Sequence, residues 1–115
     1  MRRLHIALAT DNIEATIDDY SRRLGSPPCT TIPGEYALWR TDTLNISVRK
    51  DSAVPPGSLR HLGWEDPSAS AFTTDTDVNG IAWERFAAHH QTEEIHALWP
   101  EVSGEAARGQ QDDFR

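Results

Sequence analysis

The chain has 115 residues, a formal charge of −7 at pH 7 and a single cysteine. That length suits one domain with a modest core. The acidic balance argues against sequence-independent nucleic-acid binding, which draws on basic patches, and no apolar run is long enough to span a membrane.

The first strand pattern begins at once, with Leu4, Ile6 and Leu8 alternating with His5, Ala7 and Ala9. That period of two gives one greasy face and one small face that carries a histidine. No signal-peptide apolar region precedes it, and Cys29 has no partner for an internal disulfide, so a cytoplasmic protein is expected. A helical pattern follows. Asp11 is placed to cap it, with Glu14 three residues on in capping-box position. Ile13, Ile17, Tyr20 and Leu24 form one apolar stripe. Gly25 supplies the stop, and Pro27 and Pro28 forbid continuation. The stripe is expected to cover the Leu4/Ile6/Leu8 face, which leaves His5 on the opposite face.

A second strand region runs from Cys29 to Thr41 and is broken at Pro33-Gly34. Its firm part, Glu35 to Arg40, puts Tyr36, Leu38 and Arg40 on one face and Ala37 and Trp39 on the other. Thr41-Asp42-Thr43 is short enough for a hairpin turn. Leu44 to Arg49 then alternates again, with Leu44, Ile46 and Val48 as core and Asn45, Ser47 and Arg49 as a polar face. A loop centred on Pro55-Pro56-Gly57 leads to a strand from Leu59 to Trp64. Its His61-Leu62-Gly63-Trp64 repeats the classes of His5-Ile6-Ala7-Leu8 at a spacing of 56 residues. This is a weak internal repeat, with a histidine opening each half.

Glu65 to Asn79 is polar and turn-rich, and Asn79-Gly80 is a turn signal. Ile81 to Phe86 reads either as a strand, with Ala82, Glu84 and Phe86 on one face, or as the start of a helix. Ala87 to Trp99 is helical in composition and Pro100 ends it. His89, His90 and His96 in this stretch are expected to be exposed. Residues 101–115 are charged with little apolar content, and a disordered tail is expected. The four tryptophans, Trp39, Trp64, Trp83 and Trp99, are expected as core or dimer anchors.

Two imidazoles and one carboxylate form a common divalent-metal set. His5, His61 and Glu84 are the candidates: two histidines at equivalent places in repeated strands and a glutamate just after a turn. They suit Fe, Mn, Zn or Ni with positions left for a small-molecule ligand. Tyr36, Trp39, Ser47 and Arg49 are the residues expected to line the groove beside them. No Gly-rich phosphate loop or nucleophile elbow is present.

Leu4-His5-Ile6-Ala7-Leu8, Asp11 to Thr16, Asp19-Tyr20 and Leu24-Gly25 resemble the opening of vicinal oxygen chelate proteins. That superfamily includes glyoxalase I, extradiol dioxygenases, fosfomycin-resistance enzymes and bleomycin-binding proteins. Arg60 to Trp64 is similar to the start of the family's second module, and Asp75 to Gly80 followed by Trp83-Glu84 is similar to its closing strand. The resemblance covers about residues 3 to 86 and implies an α+β fold. One curved mixed sheet would hold a βαβββ module over about 1–50 and a shortened second module over about 58–100, with helices on the convex side. It also implies His5, His61 and Glu84 as metal ligands. The fourth strand offers Asn45, Ser47 or Arg49 where glyoxalases place a ligand carboxylate. The implied activity is that of a metal-dependent lyase, isomerase or dioxygenase, the metal chelating adjacent oxygens of a small substrate. A metal-free sequestration protein of the bleomycin-binding kind is the alternative, and the acidic charge with Tyr36 and Trp39 suits it. A degenerate module that only dimerises is a third reading. A homodimer is expected, because a shortened second module leaves sheet edge and apolar surface uncovered.

Overall fold

The structure is a computed structural model that describes residues 1–100. The expected disordered tail lies outside the described residues. The elements in chain order are β1 (Arg3–Thr10), α1 (Ile13–Leu24), β2 (Thr30–Ile32), β3 (Tyr36–Arg40), β4 (Leu44–Lys50), β5 (Leu59–Glu65), β6 (Thr73–Thr76), β7 (Ala82–Phe86) and α2 (Ala88–Leu98). The fold is α+β. All seven strands join one mixed sheet in the order β2-β3-β4-β1-β5-β7-β6.

The two halves share a plan. β1 runs parallel to β4, which pairs antiparallel with β3; β5 runs parallel to β7, which pairs antiparallel with β6. β1 and β5 meet antiparallel at the centre. The first half crosses from β1 through α1 and adds β2. The second half crosses from β5 to β6 by a short turn-rich segment with no helix. β6 itself is a strand that the polar composition of Glu65 to Asn79 concealed. All its residues are exposed, so no apolar alternation marks it.

Asn12, and not Asp11, is the N-cap of α1: its side chain accepts the Ala15 N–H at 3.0 Å. Gly25 closes the helix at φ 75°, its N–H returning to the Ser21 carbonyl, a backbone region that favours glycine. The stripe buries Ile13 against Ala37, Trp39 and Val48, with Ile17, Tyr20, Leu24, Leu8 and Ile46 around them. The helix lies over β3 and β4, so Leu4 and Ile6 stay half-buried while His5, Ala7 and Ala9 are buried on the other face.

Burial of that other face corrects the expectation that both helices share one side. α2 packs its Ile95 with Ile32, Tyr36 and Leu38, which alternate along the strands with the residues under α1. The two helices therefore cover opposite faces. Gln91 and Ile95, four residues apart, are the buried residues of α2, so its inward stripe is short and part polar. It is pinned at its end, where the Trp99 ring packs tilted against Tyr36 with ring centres 5.2 Å apart. Trp99 thus serves this chain's own packing. No described helix is long and apolar enough to cross a membrane.

Candidate metal centre

The sheet rung that carries the site reads Asn45, His5, Gly63, Glu84 from β4 to β7. Residues directly opposite one another share a face. His61 stands one step along β5, opposite Ala7, where strand alternation returns it to the same face. Glu84 lies on a strand, which settles the open choice between strand and helix for Ile81 to Phe86. Gly63 sits in the rung between His5 and Glu84. A Cβ there would run into the Glu84 carbonyl, so glycine permits the close approach of β5 and β7.

His5, His61 and Glu84 converge, each offering one ligand atom within 4.8 Å of the others. His5 Nε2 is 2.9 Å from His61 Nε2. Glu84 Oε1 is 3.0 Å from His61 Nε2 and 3.9 Å from His5 Nε2. Ligand bonds of about 2.0–2.1 Å imply donors roughly 3.3 Å apart around a tetrahedral ion and roughly 3.0 Å apart on an octahedral face. The observed separations bracket both values.

The surroundings fix which nitrogen of His5 is free. His5 Nδ1 lies 3.2 Å from the Asn45 carbonyl and 2.9 Å from Asn45 Oδ1. The Asn45 amide is oriented in turn, because its Nδ2 donates to Glu65 Oε1 and Gln91 Oε1, both at 2.9 Å. Two acceptors therefore face Nδ1, which must carry the hydrogen, and Nε2 turns a lone pair toward His61 and Glu84. Burial, the largest influence, lowers the His5 pKa, with the Asn45 hydrogen bond opposing it and the His61 charge reinforcing it. The ring is neutral at pH 7, the state a metal needs. Phe86 meets the ring edge-on at 5.0 Å, and Phe72 stacks on Phe86 at 5.6 Å. The segment between β5 and β6 thus folds over the site.

Behind Asn45, Glu65 is buried and takes charge-assisted bonds from Arg40 at 2.8 and 2.7 Å and from Arg3 at 2.8 Å. Burial pushes the Glu65 carboxyl up, but the Arg40, Asn45 and Arg3 contacts outweigh it and hold the group below its ordinary value. Glu65 was not singled out in the sequence. It fell at the start of the stretch read as polar and turn-rich, and its partners come from three other strands.

Of the residues expected to line the groove, Tyr36, Ser47 and Arg49 do border the cavity at the triad. Tyr36 pairs with Ser47, and its burial pushes the hydroxyl pKa well up. Trp39 does not. It is fully buried on the α1 face against Tyr20, ring centres 5.7 Å apart, because it alternates with Tyr36 and Leu38. Gln91, Glu94 and Ile95 of α2 close the cavity from above. Burial and the nearby Glu84 charge push the Glu94 carboxyl up. The expectation of exposed histidines in this helix holds for His89 only. His90 Nδ1 accepts the Ala87 N–H at 2.9 Å at the helix start, and His96 is half-buried.

No family model and no curated protein matches the chain. Among solved structures it is similar to one described as an NAD-dependent benzaldehyde dehydrogenase from Legionella pneumophila. The TM-score is 0.52 and the identity 11%, over 73% of this chain and 97% of that one. A likeness at that identity speaks to the fold alone.

Proposed function

We propose that the chain is a metal-dependent small-molecule enzyme of the vicinal oxygen chelate kind. His5, His61 and Glu84 would hold a divalent ion, and the ion, when bound, would act as a Lewis acid on two adjacent oxygens of a substrate. The observation that carries this reading is the orientation of His5. Arg40, Glu65 and Asn45 form a chain of bonds whose net result is an unprotonated Nε2 aimed at His61 and Glu84. The paired half-plans of the sheet, with β1 and β5 at the centre, agree with two related modules of which the second has lost its helix. Tyr36, Ser47 and Arg49 would contact the substrate beside the ion.

The test is zinc or manganese titration of the purified chain by calorimetry, beside the His61→Ala variant. One equivalent should bind the parent, and the variant should bind at least about tenfold more weakly, since two ligands hold an open site poorly. Equal binding by both proteins overturns the triad. No binding by the parent moves the reading to metal-free sequestration.

A further inference from the structure

Arg60 breaks the alternation of β5. The ladder between β1 and β5 pairs Ala7 with His61 and then Leu8 with Leu59, so the register shifts and Arg60 is the extra residue. In a regular strand Arg60 and His61 would point to opposite faces. A bulge sets two residues against one and re-aims a side chain, a device common beside active sites. Arg60 and His61 accordingly border the same cavity. Arg49 borders it from β4, where it stands opposite Tyr36, with its guanidinium 5.4 Å from the centre of the Trp99 ring.

Among the described residues, Arg3, Arg22, Arg23, Arg40 and Arg85 form ion pairs, while Arg49 and Arg60 do not, nor does Arg2, which lies over Trp64 away from the cavity. In a chain of net charge −7, carboxylates are plentiful, so two convergent guanidiniums without one are conspicuous. Glu94 shares the cavity and feels both charges, yet it is not within ion-pairing distance of either. The cavity at the triad measures about 30 Å³, room for a water or two. A second cavity of about 350 Å³ shares Arg49 and Arg60 with it and adds Lys50 and Asp51. The Asp51 carboxylate already accepts the Ala53 N–H at 3.0 Å. A ligand that touched the triad would extend past the arginines into this larger, cationic space.

We propose that Arg49 and Arg60 form an oxyanion subsite. The ligand of this site carries a carboxylate or phosphoryl group, which the two guanidiniums hold by forked, charge-assisted bonds, with Lys50 adding a third positive charge. The anion subsite stands on the arginines and cavities alone. Only the placement of the ligand's other end at the triad rests on the metal reading above.

Calorimetry on the full chain at low salt separates the two. Inorganic phosphate and succinate are titrated into metal-free protein, and zinc is titrated separately. At least one anion should bind the parent at one equivalent, and the stronger of the two identifies the headgroup. The Arg49→Gln/Arg60→Gln double variant should lose at least about tenfold in anion affinity, about 1.4 kcal/mol, while its zinc affinity stays within about threefold. His61→Ala should do the reverse. If the glutamine pair fails to fold by circular dichroism, Arg49→Lys/Arg60→Lys replaces it and should also weaken anion binding, because lysine lacks the fork. Anion binding unchanged in these variants, or absent from the parent, overturns the subsite. Anion binding that behaves as stated while zinc fails to bind the parent overturns the metal reading and leaves the subsite standing.

Discussion

Asn45 and Glu65 matter more than their positions suggest. Asn45 is fully buried and holds His5 in the tautomer a metal requires. Asn45→Ala removes that support and should lower metal affinity about 10- to 100-fold, read by zinc titration. Unchanged affinity would show that His5 orients without it. Glu65 compensates Arg40, whose side chain is 10% exposed, and the partly exposed Arg3. Glu65→Gln leaves these cations with a neutral partner and should cost about 3 kcal/mol in urea unfolding. The parent's stability should also depend on pH through this group. Its folded-state pKa is depressed below the ordinary 4.5, so the stabilisation is full above that pH and is lost as pH falls through the folded-state value. The urea midpoint of the parent should fall in that acid window, and the glutamine variant should lack this part of the fall.

Gly63 and the Arg60 bulge make β5 the element on which the site depends. Gly63→Ala forces β5 and β7 apart at Glu84. It should cost about 1–3 kcal/mol by overpacking, and it should weaken metal binding in the same protein because Glu84 moves with its strand. Thermal unfolding and zinc titration read the two effects, and an alanine variant with parent-like values for both would refute the close-approach argument. The two helices divide the remaining work. α1 caps one sheet face through Ile13, Ile17, Tyr20 and Leu24, and α2 covers the site face through Gln91 and Ile95.

The whole molecule is lopsided. Leu4 pairs with Trp64, Ile6 with Leu62 and Leu62 with Trp83, so these side chains share the α1 face, but α1 packs chiefly over β3 and β4, with Leu8 at its edge. Among the described residues no helix of the second half covers that face, since α2 lies on the other one, and these apolar residues are half-buried. The guanidinium of Arg2 lies 4.3 Å from the centre of the Trp64 ring and shields it in part. A second copy of the chain is the occupant we propose, each uncovered half-sheet facing the other across a two-fold axis. Light scattering at tens of micromolar should give a dimer, and Trp64→Glu should shift it to monomer. A parent that runs as a monomer at that concentration sinks the idea.

Local periodicity determined much of this on its own. The alternations at Leu4 to Ala9 and at Leu44 to Arg49 placed β1 and β4 and sorted their residues into two faces, but the faces carrying His5, Ala7, Asn45 and Ser47 bury more deeply than the Leu4/Ile6 and Leu44/Ile46 positions expected as core. The stripe from Ile13 to Leu24 with Gly25 after it placed α1 and its stop. The repeat of His5 in His61 marked the two central strands, because a period of two and a residue class are local properties that need no knowledge of the connection between the strands. What required the tertiary structure was every choice made by a partner distant in sequence. Trp39 and Tyr36 had equal claims to the ligand groove until α1 settled over one of the alternating faces. α2 chose the site face because Ile32, Tyr36 and Leu38 were there to receive Ile95. β6 exists through its pairing with β7, since its own residues bury nothing. The bulge that turns Arg60 toward His61 is a mismatch between two strands, and a mismatch is a property of a pair that neither strand carries alone.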